Sequence, residues 1–288
     1  MVGAKEQQTD QPCLGHVVGS AIERTYNVDE NRVVLSGVSD GGTGAYYVAM
    51  HDTTPFASFL PLNGYIMVLR SVRGGGDEFP NNLRNKPFFI VNGGQDPLYP
   101  TSLVGPYVER LRKSGVELVY QPQPEAGHNT RWWPEVKDSF EAFVTSHPRK
   151  PFPDTLTWES GDQFENRAHW LIIDKLGALR PGDVPLDDVN HEGARSWFQH
   201  QLPSGRVDLA RSGNTIKATT RGVAEFTLLL SPDVFDFDEP VRVEADGRVV
   251  FDARVEKSLP TLLKWAARDN DRTMLVAAEV HVRAASVR

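Results

Sequence analysis

Ser39, Asp96 and His128 are the residues whose types and order could do chemistry together. A serine hydroxyl is inert until a base takes its proton, and an imidazole serves as that base only when an acid holds it in one tautomer. Given both, the serine attacks a carbonyl carbon and forms an acyl-enzyme that water hydrolyses. Ser39 sits in Gly37-Val38-Ser39-Asp40-Gly41, a G-x-S-x-G pattern in which a strained strand-to-helix elbow lifts the hydroxyl clear of a sheet. Alone the pattern is weak, because a chain with 24 glycines can reach it by chance. Asp96 stands in the turn-forming run Asn92-Gly93-Gly94-Gln95-Asp96-Pro97, and His128 in Ala126-Gly127-His128-Asn129.

These side chains meet only if the elements before them end on one edge of a sheet. Val33-Val34-Leu35 is a continuous apolar run bounded by Asn31-Arg32, as a buried parallel strand requires. After Ser39, Gly41, Ala45 and Ala49 recur every four residues and predict a helix lying close against that sheet. Glycine on both sides of Ser39 is expected to be a steric need of the crowded elbow. Residues 58–64, 86–92 and 116–120 read as further strands, and helices are expected over about 13–26, 101–113 and 133–146. Residues 65–86, with Gly74-Gly75-Gly76, look irregular and too short for a large lid. Alternating strands and helices with short connections imply a parallel, doubly wound sheet, whose strand C-termini converge on one edge.

Two backbone donors are needed for the oxyanion, and the N–H of Asp40 is expected to be one. The second normally comes from a loop after an early strand, and no such strand precedes Ser39 here. Tyr99, Trp132 and Trp133 flank the acid and the base, as walls of a pocket for a ring or sugar or as packing in the core and at helix starts. Asp77 and Glu78, in a Gly-rich loop, are weaker rivals of Asp96. The other seven histidines, among them His16, His51 and His200, have no metal-ligand spacing and read as surface or packing residues.

At residues 148–153 the alternation stops, and three prolines within His147–Pro153 predict a stiff linker. Residues 154–288 then read as a smaller, mainly-β, sandwich-like domain. Its strands are expected at 155–159, 169–174, 206–210, 215–220, 224–230, 241–244, 248–255 and 274–282, with a hairpin turn at Asp246-Gly247 and one helix over 259–267. The domain before the linker is 1–147. A net charge of −7 argues against a nucleic-acid or anionic-membrane footprint. Cys13 stands alone, so neither an intrachain disulfide nor a Cys-based metal framework is expected. No run approaches the ~18 apolar residues of a membrane span. The first ten residues are too polar for a signal peptide, which implies the cytoplasm if the N-terminus is complete.

Tyr26-Asn27-Val28-Asp29, the elbow with Gly42, and the Asp96 and His128 motifs together resemble the α/β-hydrolase superfamily. Within it they resemble bacterial esterases similar to polyhydroxybutyrate depolymerases and the catalytic domains of prolyl oligopeptidases. The resemblance covers about residues 13–147, and residues from Pro151 through Leu171 look like the accessory β module of some of these proteins. It implies the chain order Ser39, Asp96, His128 for a catalytic triad and no cofactor. Members of the superfamily begin with about four strands before the nucleophile strand, so an N-terminally incomplete sheet is expected here. Truncation of a longer protein is the favoured explanation; the alternative is a partner chain, including a second copy in a homo-oligomer, that completes the sheet. The leading expectation is a serine hydrolase acting on a small or polymeric ester. A prolyl-oligopeptidase-type peptidase is the second. The third is a scaffold whose triad is a relic and whose β module contacts glycan.

Overall fold

The computed structural model describes residues 26–71, 78–161, 164–179, 188–192, 195–198 and 203–284. The expected helix over 13–26 lies almost wholly outside these, as do Cys13, His16, Gly74–Gly76, Asp77 and His200. Four strands form one parallel sheet in chain order: β1 (Val34–Val38), β2 (Ser58–Leu62), β3 (Phe88–Gly93) and β4 (Leu118–Gln123). Helix α1 (Asp40–His51) connects β1 to β2, α2 (Thr101–Lys113) connects β3 to β4, and α3 (Trp133–Ser146) follows β4. Short 3₁₀ turns at Ile66–Ser71 and Pro80–Asn85 lie between β2 and β3.

Alternation along the strands decides which helix packs where. Phe59, Phe88 and Ile90 share a core with Ala45, Tyr46, Ala49 and Met50 of α1 and with Val104, Val108 and Leu111 of α2. Their sequence neighbours Leu60, Phe89 and Val91 share another with Val136 and Phe143 of α3. Because successive side chains point to opposite faces of a sheet, the sheet is covered on both sides, the doubly wound arrangement expected from the sequence.

β1 and β4 are the two edges of this sheet among the described residues. The Val33 carbonyl accepts from Ala57 and the Ser39 N–H donates to Leu62, so odd-numbered residues face β2. The peptide groups of Val34, Ser36 and Val38 therefore point away from the sheet. The strand is only partly buried, whereas β2 and β3 are buried throughout.

The remaining chain is β-rich. β5 (Thr155–Ser160) belongs to a five-stranded sheet with β10 (Gly205–Ser212), β11 (Thr215–Arg221), β13 (Val241–Ala245) and β14 (Arg248–Ala253). A four-stranded sheet comprises β6 (Arg167–Ala168), β7 (Leu171–Leu176), β12 (Val223–Leu230) and β15 (Ala278–Arg283). Both sheets send alternate residues into one core, Trp158, Leu209 and Val243 from the first and Ile173, Phe226 and Val280 from the second. Asp246 and Gly247, both at positive φ, turn β13 into β14 as the Asp-Gly pair predicts. Helix α4 (Leu259–Asp269) precedes β15. The last strand is shorter than expected: residues 274–277 are not part of it.

The two parts are closely joined. Residues 148–153 bury Arg149 and Phe152, and the Pro151 and Pro153 carbonyls accept hydrogen bonds from His169 Nδ1–H and Trp170 Nε1–H. Between β7 and β10, the small hairpin β8 (His191–Glu192) and β9 (Arg195–Ser196) is flanked by Val189, Trp197 and Phe198. These three residues pack into the core of α1 and α2, a placement that no sequence pattern announced.

Candidate active site

Ser39 follows β1 and caps α1 with φ 58° and ψ −118°. A non-glycine residue held at positive φ costs about 1–3 kcal/mol and persists only where its surroundings fix it. Here the Ser39 N–H donates to the Leu62 carbonyl at 2.9 Å, and its own carbonyl accepts from Thr43 N–H at 3.0 Å. The backbones around it are in van der Waals contact. A Cβ on Gly37 would lie 2.4 Å from the carbonyl carbon of Gly41, and one on Gly42 would lie 2.7 Å from the Leu62 oxygen. This corrects the reading of the glycine pattern: a Cβ on Gly41 would meet nothing within 4 Å. The steric need falls on Gly37 and Gly42, while Gly41 contributes the backbone that Gly37 must approach.

Asp96 and His128 lie in the loops after β3 and β4. Those loops run backbone against backbone, since a Cβ on Gly93 would sit 2.3 Å from the Ala126 oxygen and one on Gly94 2.3 Å from the Pro124 oxygen. Two hydrogen bonds stitch them together, Gly94 N–H to Gln123 at 2.7 Å and Gln95 N–H to Ala126 at 2.9 Å. The Asn92-Gly93-Gly94 run thus works by letting the acid's loop touch the base's loop.

The three side chains form one hydrogen-bonded row. His128 Nε2 is 2.8 Å from Ser39 Oγ, and His128 Nδ1 is 2.7 Å from Asp96 Oδ2. Asp96 Oδ1 accepts the N–H groups of Leu98 at 2.8 Å and Tyr99 at 3.0 Å. Burial alone would raise the pKa of this carboxyl, but the donors Tyr99, His128 and Leu98 outweigh it and hold Asp96 below the ordinary aspartate value. An ionised carboxylate can only accept, so His128 Nδ1 carries the proton and its Nε2 lone pair faces the Ser39 hydroxyl.

Two buried amides support the row, and sequence reasoning passed over both. Asn63 Nδ2 donates to the Asn129 carbonyl at 3.0 Å, and Asn92 Nδ2 donates to the Gly64 carbonyl at 3.1 Å. Each ends an apolar strand run just before a glycine, Leu62-Asn63-Gly64 and Val91-Asn92-Gly93, which was the available signal. Asp40 is the first residue of α1, so its N–H has no carbonyl one turn back in the helix to bond. No strand precedes β1 among the described residues, which begin at Tyr26.

Of the three expected pocket aromatics, Tyr99 meets the site, its ring edge-on to His128 at 5.9 Å. Trp132 does not line a pocket: at 4% exposure it is packed with Leu62, Phe89 and Val136 in the α3 core. Trp133 packs edge-on against Phe140 of the same helix at 5.1 Å. Only Trp132 turns into the core; Trp133, the first residue of α3, stays exposed and covers the Phe140 ring from outside. Glu78 hydrogen-bonds to His51 Nε2 at 3.1 Å, and Glu165 bonds to His51 Nδ1. His51 is therefore a buried partner of two carboxylates rather than a surface residue. Among the described residues no group of three or more His, Cys, Asp or Glu could hold a metal ion, and no helix is long and apolar enough to cross a membrane.

No protein-family model matches the chain. Acyl-protein thioesterase 1 of Gibberella zeae is 26% identical to it over 122 residues, 42% of this chain and 49% of that protein. The chain thus spans about half the length of the curated relative it matches. Among solved structures, SOBER1 of Arabidopsis thaliana superposes on 46% of this chain and 60% of its own with a TM-score of 0.36 at 16% identity. An acylaminoacyl peptidase of Pyrococcus horikoshii superposes on 46% of this chain and 26% of its own with a TM-score of 0.38 at 13% identity.

Proposed function

We propose that this chain, a relative of the α/β-hydrolase superfamily, is a serine hydrolase that cleaves a carboxylic ester through an acyl-enzyme. The observation that carries the reading is the unbroken row from Ser39 Oγ through both nitrogens of His128 to an ionised, buried Asp96. In the first step Ser39 Oγ attacks the acyl carbon while His128 Nε2 takes its proton. Asp96 keeps the proton on Nδ1 and stabilises the imidazolium. The Asp40 N–H faces the negative charge that develops on the carbonyl oxygen. His128 then returns its proton to the leaving oxygen, and in the second step it activates water against the acyl-serine. The two β sheets of residues 154–288 are assigned an accessory role outside this chemistry, a reading supported by the core they share with each other; Val189, Trp197 and Phe198 belong instead to the core of α1 and α2.

Labelling by a fluorophosphonate probe tests the assignment. The wild-type protein is expected to label and Ser39→Ala to stay unlabelled; equal labelling of both removes Ser39 from the mechanism. A thioester is the second reading, favoured by the similarity to acyl-protein thioesterase 1. Paired oxygen and sulfur esters of one acyl group separate the two.

A further inference from the structure

A row of aromatic rings leads away from His128, through the loops after β3 and β2 and on to α2. Tyr99 meets the His128 ring edge-on, Tyr65 lies 5.7 Å from Tyr99, and Tyr107 lies 5.5 Å from Tyr65. Trp197 closes the far end, edge-on to Tyr107 at 5.2 Å. The three tyrosines are half-buried, so each keeps part of its surface open, whereas Trp197 is buried and backs Tyr107. The row is fixed to the elbow as well. Tyr65 N–H donates to Thr43 Oγ1 at 3.2 Å, and Thr43 is the residue whose N–H bonds the Ser39 carbonyl. The Tyr65 hydroxyl is raised above the ordinary tyrosine range by burial and by its hydrogen bond with Tyr107, which ties these two rings to each other. Leu98, two residues beyond Asp96, adds an exposed apolar side chain next to Tyr99.

The direction of the row identifies what it would hold. In acyl transfer the imidazole that accepts the serine proton returns it to the leaving oxygen, so the leaving group must rest against His128. A surface that begins at the His128 ring and continues through Tyr99, Tyr65 and Tyr107 starts at the group that must meet the leaving oxygen, which is the ground for assigning it to the leaving group. Half-exposed phenol rings favour offset or edge-on contact with another ring. We propose, building on the serine-hydrolase reading, that Tyr99, Tyr65 and Tyr107 form a leaving-group subsite for esters of an aromatic alcohol, with Trp197 as a positioning residue behind it.

The test compares propyl acetate with phenylpropyl acetate, whose alcohols leave with equal intrinsic ease because the ring is remote from the oxygen. Wild-type protein is expected to favour the phenylpropyl ester in kcat/KM by about tenfold or more, and Tyr65→Ala to bring the ratio within about twofold, while Tyr65→Phe, which keeps the ring, retains the preference. Trp197→Ala is expected to raise KM for the phenylpropyl ester more than for the propyl ester, with Trp197→Phe restoring the difference. Equal kcat/KM for the two esters, in protein whose Ser39 is labelled by fluorophosphonate, overturns the subsite and leaves the hydrolase reading standing. If neither labelling nor turnover occurs, the hydrolase reading fails. Saturation-transfer NMR with phenylpropanol then decides the subsite alone: contact to the phenyl protons that Tyr65→Ala abolishes supports it, and no contact in wild type overturns it.

Discussion

Asp96 and His128 stand 2.7 Å apart across two loops pressed backbone to backbone, while the other oxygen of the same carboxylate takes the N–H groups of Leu98 and Tyr99. The Asp96 carboxylate is thus held by three donors. Asp96→Asn preserves its shape but offers an amide that no longer selects the Nδ1–H tautomer. The expected loss in kcat is about 10⁴-fold with little change in KM, measured on p-nitrophenyl acetate. The far-ultraviolet circular dichroism should be unchanged.

The same pair makes a statement about acid stability. Asp96 is held below its unfolded pKa, so the folded state binds its proton less readily than the unfolded chain does. Its stabilising contribution is present above the ordinary aspartate value, about 4, and is lost as pH falls through the folded value. Thermal melts between about pH 5 and 2.5 should therefore steepen in wild type relative to Asp96→Asn. Parallel curves for the two proteins would contradict this.

At the elbow the two glycines of the sequence pattern have opposite tolerances. Gly37→Ala forces a Cβ to within 2.4 Å of the Gly41 carbonyl, so it should lower the melting temperature strongly and abolish labelling of Ser39. Gly41→Ala meets open space in the first turn of α1, and alanine is favoured over glycine in a helix by up to about 1 kcal/mol. Its melting temperature should stay level or rise. A large loss of stability in Gly41→Ala would show that the crowding lies elsewhere.

What the residue order made legible was the local half of this architecture. Apolar runs such as Phe88–Val91 marked strands, and the helical spacing of Val136, Phe140 and Phe143 marked α3, because strand and helix periods are written in neighbouring residues. The convergence of Ser39, Asp96 and His128 followed from parallel strands, which must end on one edge. Pairings that cross the chain without a period stayed hidden. His51 and Glu165 are 114 positions apart, and Trp197 reaches Tyr107 from beyond the whole parallel sheet. For Trp132 the sequence left pocket wall and packing both open, because proximity to His128 in sequence says nothing of which way a side chain turns as a loop enters a helix; the structure selects packing. Gly41 was misread because a motif records glycine without recording which backbone it lets approach.

His51 supplies a second pH dependence, of opposite sign. Burial would lower its pKa, but hydrogen bonds to Glu165 and Glu78 overcome this and raise it to about 9. Its folded value lies above its unfolded one, so its contribution is complete below about pH 6.5 and is lost as pH rises through about 9. Deprotonation leaves the carboxylates of Glu78 and Glu165 facing each other without a cation between them. Stability in urea should decline across that interval in wild type and decline less in His51→Gln. A wild-type protein equally stable at pH 6.5 and 9.5 would rule out the charged bridge.

Arg149 is the joint between the segments that precede β1 and β2 and the β-rich part. Its backbone N–H donates to the Asn31 carbonyl at 2.8 Å, and its guanidinium reaches Asn31 Oδ1, the Thr54 carbonyl, Asp271 Oδ2 at 2.6 Å and Thr273 Oγ1 at 2.8 Å. The side chain is 2% exposed and that of Asp271 10%, so solvent cannot replace either partner. Arg149→Met keeps the volume but strands the Asp271 carboxylate, and breaking such a buried pair from one side costs about 3–5 kcal/mol. Asp271→Asn in the same protein removes the stranded charge, so the double variant should lose less than the two single losses added together. Urea unfolding of the four proteins measures the coupling. Strict additivity would mean that Arg149 acts through Asn31, Thr54 and Thr273, and that its ion pair with Asp271 adds nothing to the joint.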